Sequence, residues 1–226
     1  MKKVQQAAEE ILKKHNKINY LILSPGFMTT QGYTPTPEGI DRKLAVHYYG
    51  RWKFINDLLP ALNKAKEGGE EAKVLSVLGA GQGGSVNPDD FGLQKPGAYT
   101  TAAAGLVTPT YNDLMMQKFA ALNPSLTFIQ SYPGAVNTSI LSSSPSGLLR
   151  TMSVLTPVLS PFLTNPRDCG AYMWHGIYKT ATTPGAWRIG PKGNNLKDYR
   201  IFGDEAQREK LWEHTTNAIN EALSSK

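Results

Sequence analysis

Apolar residues recur along this chain with two alternating periods. In MKKVQQAAEEILKKHNK, Val4, Ala7, Ala8, Ile11 and Leu12 are spaced three and four apart, which predicts an amphipathic helix. INYLILSPG follows, an apolar run stopped by Pro25 and Gly26, and reads as a buried strand. A Thr, Pro and Gly loop covers roughly Phe27 to Gly39. From about Asp41 to Lys66, Leu44, Tyr48, Trp52, Ile55, Leu59 and Leu62 make one stripe of a long helix, and AKVLSVL then gives a second buried strand.

Further on, Thr108 as cap and Pro109 in the first turn predict a helix ending near Leu122, in which Asn112 and Asp113 read as ordinary terminus residues. LTFIQSYPG is a third strand, closed by Pro133 and Gly134. A helix from about Arg167 to Lys179 precedes AWRIGPKG, a fourth strand. Asp204 with Gln207 predicts a capping box, and the last helix carries Leu211, Trp212, Thr215, Ile219 and Leu223 inward. Strands alternating with helices imply an α/β chain with an open, mainly parallel sheet covered on both faces.

Composition narrows the setting. With 226 residues the chain suits one domain, 1–226, and its formal charge of +6 is scattered among acids, which argues against a nucleic-acid footprint. Cys169 is the only cysteine, and the charged opening MKKVQQAAEE lacks the apolar run of a secretory leader, so a cytoplasmic protein is expected. No apolar run is long enough to span a membrane.

VLSVLGAGQGGSVNPDD places Gly79, Gly81 and Gly84 as G-x-G-x-x-G after a strand. A dinucleotide site needs a helix to begin at once, so that its first amides and dipole face the pyrophosphate. Here Pro88, Gly92, Pro96 and Gly97 preclude one, and 98–105 holds no carboxylate for the ribose. The stretch therefore reads as a turn, and the same absences weaken a methyltransferase reading.

Other chemistry has little support. His15, His47, His175 and His214 lie apart without H-x-x-x-H or C-x-x-C spacing, so no metal site is expected. Asp89 and Asp90 suit a turn better than acid–base work, and no G-x-S-x-G elbow occurs.

From Ile18 to the AWRIGPKG strand, the order of elements resembles the second half of the short-chain dehydrogenases/reductases, particularly the divergent fungal type. Leu23-Ser24-Pro25-Gly26 stands where the family has N-N-A-G, Val46-His47-Tyr48-Tyr49-Gly50 where it has V-N-x-x-G, and Pro133-Gly134-Ala135-Val136-Asn137-Thr138 matches P-G-x-V-x-T in full. The resemblance implies a Rossmann-like domain missing its first strands, because the phosphate-binding loop of the family lies upstream of the strand matched by INYLILS. It also implies an oxidoreductase of secondary metabolism using NAD or NADP on a small lipophilic alcohol or ketone, with Ser24, Gly26, Val136 and Thr138 bordering the nicotinamide half.

The family's catalytic residues do not carry over by spacing. The Asn position falls on His47, the Ser position near Leu78 or Gly79, and the Tyr and Lys positions near Gly105 and Pro109. A literal Y-x-x-x-K, Tyr49 with Lys53, lies in the wrong helix; Tyr99 and Tyr111, with Ser76 or Ser85, are other candidates near the vacated site. The catalytic residues stay unknown at this level. A catalytically inactive relative, acting as an interaction or ligand-binding protein, is the alternative. Gly147 to Leu163 falls where the family places a lid, and reads equally as lid or as cover for the core or a partner. An unpaired edge on INYLILS would make the chain aggregation-prone or obligately paired, as a homo-oligomer or with a related protein.

Overall fold

A computed structural model describes residues 1–225. The strands are β1 (Tyr20–Leu23), β2 (Lys73–Val77), β3 (Thr127–Ser131) and β4 (Gly185–Ile189), all parallel, in the order β1-β2-β3-β4. Parallel pairing demands crossovers, and helices supply them. Among these are α1 (Lys2–Lys14), the short α2 (Arg42–Leu44), α3 (Gly50–Glu67), α4 (Thr101–Leu122), α5 (Gly147–Met152), α6 (Thr156–Leu159), α7 (Pro166–His175) and α8 (Glu205–Ser224). A π-helical turn, Ala45–Tyr49, joins α2 to α3 without a break.

Side chains alternate across the sheet and fill a core on each face. Val74 and Phe128 meet α3, α4 and α8, whereas Leu75, Ile129 and Ile189 meet Cys169 and Met173 of α7 together with Ile177. In the larger core, Trp212 of α8 packs on Trp52 at 5.1 Å and on Phe119 at 4.8 Å between ring centroids, so α8 rests on both long helices. The capping box at Asp204 and Gln207 forms as expected.

Three expectations are corrected. The helix expected to start at Thr108 begins at Thr101, capped by Thr100, whose hydroxyl accepts from Ala103 N at 2.9 Å. An alanine-rich first turn with a good cap outweighs the cost of Pro109, which now lies inside the helix. The carbonyl that its ring crowds belongs to Gly105, an exposed position. Asn112 and Asp113 are consequently mid-helix and buried, not terminal. Finally, β1 lies at the edge of the sheet, as the unpaired edge of INYLILS implies, but it is not a buried strand. Only Leu23 is buried there, and Ile22 is 42% exposed.

Phe119 is enclosed, stacked on Phe128 and edge-on to Trp212. Phe119→Ala is expected to lower stability by about 3–5 kcal/mol, read as a shift in urea midpoint at unchanged m-value; an unshifted midpoint would contradict this packing.

Candidate functional site

Because the strands are parallel, their C-terminal ends form one crest, the edge where open α/β sheets bind ligands. Across it runs a polar row: Leu23 lies beside Ser76, Ser76 beside Gln130, and Gln130 beside Arg188. Helix α4 answers each polar member of the row. Ser76 donates to Asn112 Oδ1 at 2.8 Å, Gln130 Nε2 donates to Pro109 O at 2.7 Å, and Arg188 Nε lies 2.9 Å from Asp113 Oδ2. Burial raises the Asp113 carboxyl above its ordinary pKa despite the pull of Arg188.

Arg51 closes the row beside β1. Its guanidinium is buried and donates to Leu23 O at 3.2 Å, Ser76 Oγ at 2.6 Å, Val77 O at 3.1 Å and Pro25 O. No carboxylate bonds to it, and desolvation pulls its pKa down to about 10, which still leaves it charged at neutral pH. Sequence reading passed over Arg51 although it sits between Tyr48 and Ile55 on the apolar stripe. A cation inside such a stripe was the available signal.

His47, at the family's Asn position, faces the loop after β1. Its Nε2 accepts from Phe27 N at 3.3 Å, and its carbonyl accepts from Asn112 Nδ2 at 2.8 Å. Desolvation, then Arg51 and Lys43, lower its pKa to about 4, so the ring is neutral.

The glycine loop is occupied by protein. Gly79 and Gly81 take φ of +55 and +72, and a Cβ on Gly83 would lie 2.3 Å from Thr110 Oγ1. Gln82 N donates to Gly79 O, and Gly84 N to Leu106 O. Residues 85–100 contain no helix. These glycines serve a turn wedged against α4 and leave neither of those two amides for a phosphate.

Of the residues expected to border a cofactor, Ser24 and Gly26 are exposed just past β1, and Val136 and Thr138 follow β3. Each pair thus follows the C-terminal end of its strand, with β2 between the two strands. Val136 bridges to Thr164, and Thr138 lines a cleft of about 380 Å³ with Asn137, Ser142, Ser153, Thr156 and Ser160. The 147–163 segment forms one wall of it.

The tyrosine candidates separate. Tyr49 donates no proton toward Lys53: its hydroxyl lies 2.7 Å from His214 Nε2, and Lys53 pairs with Asp57 at 2.6 Å. Tyr111 is buried and donates to Phe91 O at 3.0 Å. Ser85 is exposed, and Ser76 is committed to Arg51 and Asn112. Asp90 accepts from Gln94 N and Lys95 N as a turn residue. His15 and His175 stand on the surface, and among the described residues no three His, Cys, Asp or Glu side chains gather as metal ligands.

Tyr99 alone meets a lysine. Lys43 Nζ donates to its hydroxyl at 2.7 Å, and that hydroxyl donates to Asp41 Oδ1 at 3.0 Å. Lys43 precedes His47 by one helical turn, so the pair lies on the face that carries His47. Tyr99 has no lysine four residues on in the sequence. Its lysine comes from another element, which no local spacing reveals.

No protein-family model matches the sequence. The chain is 32% identical to Oxidoreductase AN1596 of Emericella nidulans over 87% of its own length and 58% of that protein. It is 24% identical to Short-chain dehydrogenase/reductase SAT2 of Stachybotrys chartarum, over 82% of its length and 60% of the relative. The chain therefore spans little more than half of either relative. Among solved structures, an alcohol dehydrogenase from the archaeon Thermococcus sibiricus complexed with 5-hydroxy-NADP superposes with a TM-score of 0.56 at 12% identity, covering 83% of this chain and 68% of that one. At that identity the likeness is one of fold.

A histidine with a folded pKa near 4 and an ordinary value of 6.5 favours folding while it is neutral. Its contribution is complete above pH 6.5 and is lost as pH falls toward 4, at most about 3 kcal/mol. His47→Gln is expected to flatten the fall of melting temperature over that window. A fall as steep as that of the parent protein would refute the assignment.

Proposed function

We propose that this chain, a relative of the short-chain dehydrogenases/reductases of the divergent fungal kind, is the substrate-side portion of an oxidoreductase that uses NAD or NADP on a small alcohol or ketone. The residues suit one end of such a cofactor only. Ser24, Gly26, Val136 and Thr138, exposed or half-buried along the crest, would border its nicotinamide end. For the pyrophosphate there is no cradle among the described residues, since the glycine loop lacks a following helix and its Gln82 and Gly84 amides are bonded within the protein.

The observation that carries the reading is the contact between Lys43 and Tyr99. An ammonium directed at a phenol oxygen holds that hydroxyl in place, and Asp41 keeps the proton on the far side of the oxygen. Burial, followed by the bond to Asp41, raises the Tyr99 pKa above its ordinary value, so the phenol is neutral at physiological pH. Such a group can hand a proton to a developing alkoxide but is a poor base. Ketone reduction is accordingly favoured over alcohol oxidation. The cleft beside Thr138, lined by hydroxyls, an amide and Pro157, would take a small ligand with both polar and apolar parts.

A second reading, a ligand-binding or interaction protein without turnover, is favoured by the bond to Asp41, which already engages the Tyr99 proton. Tyr99→Phe separates the two. With NADH and NADPH binding followed by nucleotide fluorescence, the first reading expects weak saturable binding that the variant keeps, while ketone reduction falls about 100-fold or more. Turnover equal to that of the parent would exclude Tyr99, and absence of both binding and turnover would favour the second reading.

A further inference from the structure

Between Gly147 and Leu163 the polarity expected of a lid is reversed. Phe162 is 84% exposed, Val154 75% and Val158 73%, with Leu148 and Leu155 more than half exposed. No residue of α5, α6 or the two 3₁₀ turns after them, Ser153–Leu155 and Ser160–Phe162, is buried. The inner side meanwhile offers Ser153, Thr156 and Ser160 to the cleft beneath. Leu148, Val154, Leu155, Val158, Leu159 and Phe162 are thus exposed close together along one short segment. An apolar patch of this kind marks a contact surface.

We propose that this face seats on an anionic lipid bilayer, with its apolar side chains in the boundary between headgroups and acyl chains. Three hydroxyls of the segment bond to its own carbonyls: Thr151 Oγ1 donates to Gly147 O at 3.0 Å, Ser153 Oγ to Arg150 O at 2.6 Å and Ser160 Oγ to Pro157 O at 2.8 Å. Charge agrees with the assignment. No Asp or Glu occurs between Asp113 and Asp168, and Arg150 is exposed within the segment; Arg167 is exposed beyond its end, beside the exposed Asp168. The Arg150 guanidinium, in a stretch without acids, suits a headgroup phosphate.

A protein groove is a poorer match, because Pro157 and Pro161 break the segment into short turns that present no continuous helical ridge. Nor can the segment cross a bilayer; no helix among the described residues is long and apolar enough to do so. Shallow insertion of protruding side chains is what this shape permits. The inference is independent of the oxidoreductase reading.

Flotation of the purified chain with phosphatidylcholine vesicles, with and without phosphatidylserine, tests it. The protein is expected to float with the phosphatidylserine vesicles, more weakly with phosphatidylcholine alone, and Val158→Glu with Phe162→Glu is expected to cut recovery about tenfold. Both positions are exposed, so an unchanged thermal melt confirms that the variant is folded. A parent protein that stays at the bottom of the gradient, or a double variant that floats equally well, would overturn the proposal. So would self-association by sedimentation that the double variant abolishes, which would assign the face to a second copy of the chain.

Discussion

The guanidinium of Arg51 ties the ends of β1 and β2 to the helix that follows the first of them. It brings a positive charge into the interior without a carboxylate, and neutral dipoles compensate it: the carbonyls of Leu23, Pro25 and Val77 and the hydroxyl of Ser76. Desolvation costs are offset only when such donors are well bonded. The crest depends on that arrangement. Ser76, fixed by Arg51, orients Asn112, and Asn112 in turn holds the carbonyl of His47. The loop that carries Ser24 and Gly26 is therefore anchored from below by the same cation that fixes the floor of the site.

This anchoring explains which parts of the molecule the chain reveals in its letters. Local devices were readable: the capping box at Asp204, the stripe from Leu44 to Leu62, the apolar runs of the strands, and the Pro and Gly residues that keep 85–100 free of helix. Position within the sheet was less so. INYLILS has the composition of a buried strand, yet whether a neighbour covers its outer edge is a property of topology, and Ile22 lies exposed there. Pro109 misled for another reason, since its usual place in a first turn masked the better start at Thr100.

The site was the least legible part because its partners are far apart in the chain. Arg51 reaches back to Leu23 and forward to Ser76; Lys43 meets Tyr99; Asp113 meets Arg188. Each pairing joins two elements, and residue spacing within one element carries no trace of it. The family pattern points to the C-terminal end of the sheet, and for Tyr and Lys to positions, Gly105 and Pro109, that have no acid or base. The phenol that does meet an ammonium is Tyr99, just before α4, with Lys43 of α2.

All of these relations assume that the buried cation stabilises the crest. Arg51→Met keeps comparable bulk while removing the donors, leaving three carbonyls and a hydroxyl short of a partner. Chemical denaturation of the variant should show a loss of at least about 3 kcal/mol, with His47 regaining a pKa closer to its ordinary value when followed by NMR. A variant as stable as the parent, its His47 titration unmoved, would contradict the account.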